Sequence, residues 1–72
     1  MRLEDYLTAK GIKYQSEVFD GSKVVKIGNS IRIHIYKEQV LLCVNDRFMA
    51  FPPKTESFEK IKEIIDSEYK GN

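Results

Sequence analysis

The sequence predicts an α+β fold: a five-stranded antiparallel meander sheet flanked by an N-terminal and a C-terminal helix, α-β-β-β-β-β-α, with curling of the sheet toward a barrel as the alternative. Three observations predict it. Apolar residues recur at helical spacing near both ends of the chain. Between them Ile31, Ile33 and Ile35 alternate with Arg32, His34 and Tyr36, the period of a strand with one buried face. Turn-forming pairs (Asp20-Gly21, Gly28-Asn29 and Asn45-Asp46) punctuate the same stretch.

The first helix rests on Leu3, Tyr6 and Leu7, at i, i+3, i+4 spacing, with Met1 and Lys10 flanking them. Gly11 suits the left-handed position just past its end, and Ile12 suits the apolar contact that follows. Asp20-Gly21 reads as a type I′ turn, pairing Phe19 with Ser22, Val18 with Lys23 and Ser16 with Val25. After Ile27, a three-residue loop of Gly28, Asn29 and Ser30 pairs Ile27 with Ile31 and Val25 with Ile33. A two-residue loop would instead set Val25 against Arg32 and mix core with charge. The strand from Ser30 to Tyr36 then turns at Lys37-Glu38, in a tight turn or a looser four-residue loop of the same register. Ile35 is set opposite Val40, Ile33 opposite Leu42 and Ile31 opposite Val44. Asn45-Asp46 leads into Arg47 to Phe51, which Pro52-Pro53 ends because proline supplies no ladder donor. The second helix runs from about Thr55 to Tyr69, capped by Thr55 or Ser57. Phe58, Ile61, Ile64, Ile65 and Tyr69 form its apolar stripe, and Lys70 and Gly71 sit at its end.

Composition bounds the function. The chain has 72 residues, of which 42% are hydrophobic and 32% charged, with a formal charge of +1. It reads as a single small globular domain over residues 1–72, too apolar and too balanced in charge for a disordered segment. No apolar run approaches the roughly 20 residues that span a bilayer, so no membrane partner is expected. The N-terminal ten residues include Arg2, Glu4 and Asp5 and lack the apolar core of a signal peptide. A single cysteine, Cys43, fits a reducing, cytoplasmic setting better than secretion. One cysteine and one histidine do not complete a structural zinc site, which takes four ligands. Stability must come from packing, helped by self-association, since a chain of this size buries only about 60% of its unfolded surface.

The predicted register sorts the sheet residues into two faces. Tyr14, Val18, Val25, Ile27, Ile31, Ile33, Ile35, Val40, Leu42 and Val44 form the face that two helices can cover. Opposite lie Glu17, Phe19, Val24, Lys26, Arg32, His34, Tyr36, Leu41 and Cys43, with Phe48 and Ala50. That second set is not the polar face of a sheet side meeting only water. It mixes apolar, aromatic and basic groups, a pattern that marks interaction surfaces. One helix on each face, or barrel closure, would instead hide it. Charge is also uneven: residues 1–37 carry +3 and residues 38–72 carry −2. Between residues 21 and 37 the sequence has Lys23, Lys26, Arg32 and Lys37 and no acidic residue.

These features predict a non-catalytic binding module. It would be a small regulatory or inhibitory protein that docks a protein partner, or a second copy of itself as a homodimer, through the apolar-basic sheet face or a sheet edge. Such stand-alone inhibitors suit a viral or mobile-element origin. The expected partner-binding residues are Lys26, Arg32, His34, Tyr36, Leu41 and Phe48. The alternative partner is a nucleic acid, with phosphates meeting Lys26 and Arg32 and bases stacking on His34 and Tyr36. A third reading makes Cys43, beside Arg32 and diagonal to His34, the nucleophile of a small enzyme. A flat sheet supplies no oxyanion hole for it, and neither Glu4-Asp5 nor Asp66/Glu68 suggests paired carboxylates in a cleft. No catalytic residue, cofactor or metal is expected. Tyr6-Leu7 through Gly11-Ile12-Lys13-Tyr14 resembles the first helix and strand of double-stranded-RNA-binding domains. That family has a basic start to its last helix, where this chain has Thr55, Glu56 and Ser57, and two extra strands intervene. No site residue is carried over from it.

Overall fold

Helix α1 (Leu3–Ala9) stops where the chain supplies a residue tolerant of a left-handed backbone. Gly11 sits at φ 73°; its N–H donates to the Thr8 carbonyl at 3.0 Å, and the Ile12 N–H donates to the Leu7 carbonyl at 2.9 Å. This pair of bonds is the Schellman motif, and it drops Ile12 into the core. The computed structural model, which describes residues 2–68, continues through β1 (Gln15–Phe19), β2 (Ser22–Ile27), β3 (Ile31–Ile35), β4 (Val40–Val44) and β5 (Arg47–Phe51) to α2 (Thr55–Glu68). The strands form one antiparallel sheet in sequence order, β1-β2-β3-β4-β5. β1 and β5 do not pair, so the sheet is an open meander rather than a barrel.

The register follows apolar matching. Phe19 pairs with Ser22, Ile27 with Ile31, Ile35 with Val40 and Val44 with Arg47. The turns differ in kind. At Asp20-Gly21 only Gly21 has positive φ, 76°, so this is not the type I′ turn expected; positive φ at the second central residue alone is the type II pattern. The type I′ pattern falls at Asn45-Asp46, with φ 49° and 70°. That turn is tied to its neighbour, since the Asn45 N–H donates to the Ser30 carbonyl at 2.9 Å.

One hydrogen bond sets the direction of the main chain across the sheet. Tyr36 donates its N–H to the Gln39 carbonyl at 2.8 Å, so these residues form the bonded pair that closes the β3–β4 turn. Bonded and non-bonded pairs alternate along antiparallel strands. Carried back through the registers, Ile33 and Ile35 bond toward β2, and Ser22, Val24 and Lys26 bond toward β1. Gln15, Glu17 and Phe19 therefore bond inward. The main-chain groups of Ser16 and Val18 point out from the free edge of β1.

Both helices lie on one sheet face. Leu3 and Leu7 of α1 and Ile61 and Ile65 of α2 form a single buried cluster with Val25, Ile27, Ile31, Ile33, Val40, Leu42 and Val44. Leu7, Ile33, Leu42, Ile61 and Ile65 are fully buried. The cover stops short of β1. Val18, expected beneath the helices, stands on their side of the sheet yet is 78% exposed, and all five residues of β1 are exposed. The expected α2 caps also need correction. Thr55 is already helical and Ser57 is buried in the first turn, while the Lys54 carbonyl accepts from the Ser57 N–H at 3.0 Å. The expectations for Met1, Tyr69, Lys70 and Gly71 lie outside the described residues.

Polar contacts bind the helices to each other and to the sheet. The Tyr6 hydroxyl donates to the Lys62 carbonyl at 3.5 Å, and the ammonium groups of Lys62 and Lys10 sit 5.6 and 5.8 Å from the Tyr6 ring centroid. Lys62, buried along its stem, also meets Glu59 at 3.0 Å, and Lys10 meets Asp66 at 3.7 Å. Lys23, on the covered face, pairs with Glu4 of α1. Burial, then the hydrogen bonding and charge of Asp66, then the charge of Glu59 push the Tyr6 phenol up to about 12.

Two outcomes follow. The neutral Tyr6 phenol is favoured in the folded chain, so its contribution is full below pH 10.0 and is lost as pH rises toward about 12. An absorbance titration should show a tyrosine ionising near pH 12, and Tyr6→Phe should remove that step. Replacing Gly11 by Ala meets no atom within 4 Å, so only backbone strain opposes it. Urea unfolding should show a loss of about 1 kcal/mol.

Candidate functional site

The sheet face turned away from the helices is built by strand alternation alone. One cross-strand row runs Gln15, Lys26, Arg32, Cys43, Phe48, and the next runs Glu17, Val24, His34, Leu41, Ala50. Phe19 and Tyr36 stand at the end of the same face. The structure therefore brings all six sequence-predicted residues, Lys26, Arg32, His34, Tyr36, Leu41 and Phe48, onto one surface. Phe48 is 70% exposed, Phe19 53% and Tyr36 39%.

Val24 and Cys43 are buried on this face although neither belongs to the cluster beneath the helices. Among the described residues the cover on this side comes from the sheet's own side chains, so the face has a packed centre within a mixed apolar and charged surround. Leu41 and His34 are half-buried beside them. The rings of His34 and Tyr36 lie nearly parallel, 13° apart with centroids 6.2 Å from each other, an offset stack two residues along one strand.

Charge on the face is modest. Lys26 meets Glu17 at 3.1 Å, with both side chains about half exposed. Exposed pairs of this kind contribute at most about 1 kcal/mol. Arg32 forms no ion pair among the described residues and is the exposed cation at the middle of the sheet. Lys23, part of the same basic run in sequence, lies on the opposite face with Glu4 and takes no part.

The Cys43 reading can be set against this geometry. Cys43 pairs with Arg32 and with Phe48, and its thiol is buried. It packs as a small apolar side chain, without the exposure that a nucleophile needs to meet a substrate. Among the described residues, no group of three or more His, Cys, Asp or Glu side chains is placed to hold a metal ion. A groove of about 580 Å³ on the covered side, lined by Leu3, Lys23, Ile35, Thr55 and Phe58, contains the Lys23–Glu4 pair at its wall.

Two exposed residues were absent from the predicted binding set. Phe19 falls on the face that the sequence marks as an interaction surface but is not among the binding residues predicted there; Val18 is predicted under the helices. A signal for both was in the sequence: Gln15-Ser16-Glu17-Val18-Phe19 lacks the run of alternating apolar residues that a helix-covered strand needs.

Fold and surface together define a small α+β domain with one packed and one open sheet face. Among the described residues no helix is long and apolar enough to cross a membrane. Comparisons with protein-family models, with curated proteins and with solved structures find no match to this chain.

The open face makes a direct stability prediction. Because Phe48 is 70% exposed and covers only its cross-strand partner Cys43, Phe48→Ser should cost about 1 kcal/mol in urea unfolding. Leu42→Ala, one row away on the buried face, should cost about 3 kcal/mol.

Proposed function

We propose that this chain is a non-catalytic binding module, a small regulatory or inhibitory protein that docks a protein partner on its open sheet face in a reducing, cytoplasmic setting. The observation that carries the reading is the exposure of Arg32 and Phe48 in one cross-strand row, with Phe19 and Tyr36 at the far end, on a face that no described helix covers. Aromatic and arginine side chains are the groups that dominate protein interfaces. Phe48 and Leu41 supply apolar area, and Arg32 and Lys26 set the charge. The partner surface that complements them is apolar with an acidic rim. The single free thiol is the reason for the reducing setting.

A second reading has its own support in the His34–Tyr36 stack beside Arg32 and Lys26, an arrangement suited to single-stranded nucleic acid. It is weaker because Glu17 already engages Lys26 and because one exposed guanidinium neutralises few phosphates.

Affinity capture from the native cell, with and without nuclease, separates them. The protein reading expects a specific protein retained by the wild-type chain after nuclease treatment and lost with Phe48→Ser and Arg32→Glu, both variants remaining folded. Retention abolished by nuclease, with salt-dependent binding to an RNA or DNA oligonucleotide that weakens in Arg32→Ala, would transfer the face to the second reading. No retention under either condition would overturn both.

A further inference from the structure

The free edge of β1 is a second surface, distinct from the open face. Natural sheets guard such edges with lysine, proline, bulges or a covering helix. β1 (Gln15, Ser16, Glu17, Val18 and Phe19) has no lysine, proline, bulge or covering helix; its one charge, Glu17, pairs with Lys26 of β2 at 3.1 Å, and all five residues are exposed. Val18 and Phe19 carry apolar surface on its two sides, at 78% and 53% exposure. The opposite edge, β5, ends against Pro52-Pro53. The main-chain groups of Ser16 and Val18 point outward from β1, as the alternation from the Tyr36–Gln39 bond requires.

We infer that the occupant of this edge is a second copy of the same chain, paired antiparallel through β1 about a two-fold axis at Ser16. The axis stands perpendicular to the sheet, because only that operation keeps an antiparallel sheet continuous with the helices of both copies on one side. It also requires directly opposed residues to share parity, which leaves few registers. An axis at Glu17 sets two carboxylates opposite each other, which is unfavourable. An axis at Val18 sets Ser16 against Asp20 in the turn and shortens the pairing. The axis at Ser16 sets Tyr14 against Val18 of the other copy, Gln15 against Glu17, and Lys13 against Phe19. Each contact occurs twice. The exposed Val18 gains an aromatic neighbour on the helix side of the sheet. On the open side Lys13 falls diagonal to Glu17 of the other copy, so the charges are complementary. Lys13 and Tyr14, which lead from the end of α1 into β1, would lengthen the pairing. The two open faces would join into one ten-stranded surface, with Lys26 and Arg32 of both copies flanking the axis.

Sedimentation of the full chain tests the inference. The wild-type protein should sediment at twice the 8.4 kDa chain mass. Ser16→Pro removes only an outward N–H, a position where an edge strand tolerates proline. It should halve the mass while leaving circular dichroism unchanged. Val18→Lys, a gatekeeper charge on the same edge, should do the same should the proline variant fail to fold. For the register, Ser16→Cys should oxidise to a crosslinked dimer, since bonded partners stand about 5.5 Å apart at Cα and within disulfide reach. Glu17→Cys should crosslink more slowly. A wild-type monomer at millimolar concentration, or a dimer that survives both Ser16→Pro and Val18→Lys, would overturn the inference. A dimer that is instead lost with Phe48→Ser would place self-association on the open face.

Discussion

A sheet has two faces, and the described helices of this chain cover only one. Helices of seven and fourteen residues are set against five strands, and their apolar stripes are short. Leu3 and Leu7 of α1 and Ile61 and Ile65 of α2 have enough surface to seal the central strands on one side. Splitting them between faces would halve the cover over Val25, Ile33 and Leu42 and leave each helix to bury its stripe alone. Massing both on one side gives a sealed core, because hydrophobic gain scales with area removed from water. The exposed second face and the bare β1 edge are the consequences.

The contacts between the helices keep that arrangement in place. Tyr6 has the ammonium groups of both Lys10 and Lys62 within 6 Å of its ring centroid and donates its hydroxyl to the α2 main chain. Lys23 reaches from the sheet to Glu4 of α1. These groups fix the angle of the helix pair over β2, β3 and β4, while the Schellman turn at Gly11 fixes where the chain leaves α1. β1 lies beyond the reach of the pair, which is why Val18 is exposed although its register neighbour Lys23 is not.

Much of this arrangement was legible in the residues. The pairings of Ile27 with Ile31 and of Ile35 with Val40 follow from matching apolar faces, since a one-residue slip would put Arg32 in the core. Gly11 could be read as a helix end because few residues accept its φ. Three features were not legible. Turn type depends on the twist of the flanking strands as well as on the central residues, and Asp20 took a negative φ while Asn45 and Asp46 took positive ones. The cap position of α2 is Lys54, whose carbonyl accepts the first helical hydrogen bonds, so neither Thr55 nor Ser57 stands there. Alternation assigns a residue to a face, whereas burial also depends on how wide the covering layer is, and Val18 is where that difference shows. For the candidate site, placement of Arg32, His34, Leu41 and Phe48 on one face followed from alternation, but their exposure required knowing that both helices chose the other side.

Solvent accessibility of methyl groups measures this one-sidedness most directly. With a soluble paramagnetic chelate added to the full chain, the Leu41 and Ala50 methyls should relax quickly. The adjacent Leu42 methyls and those of Val40 and Ile33 should remain protected, because neighbours along a strand report opposite faces. Equal protection of Leu41 and Leu42 would mean that the second face is covered, and the account of an open binding surface would fail.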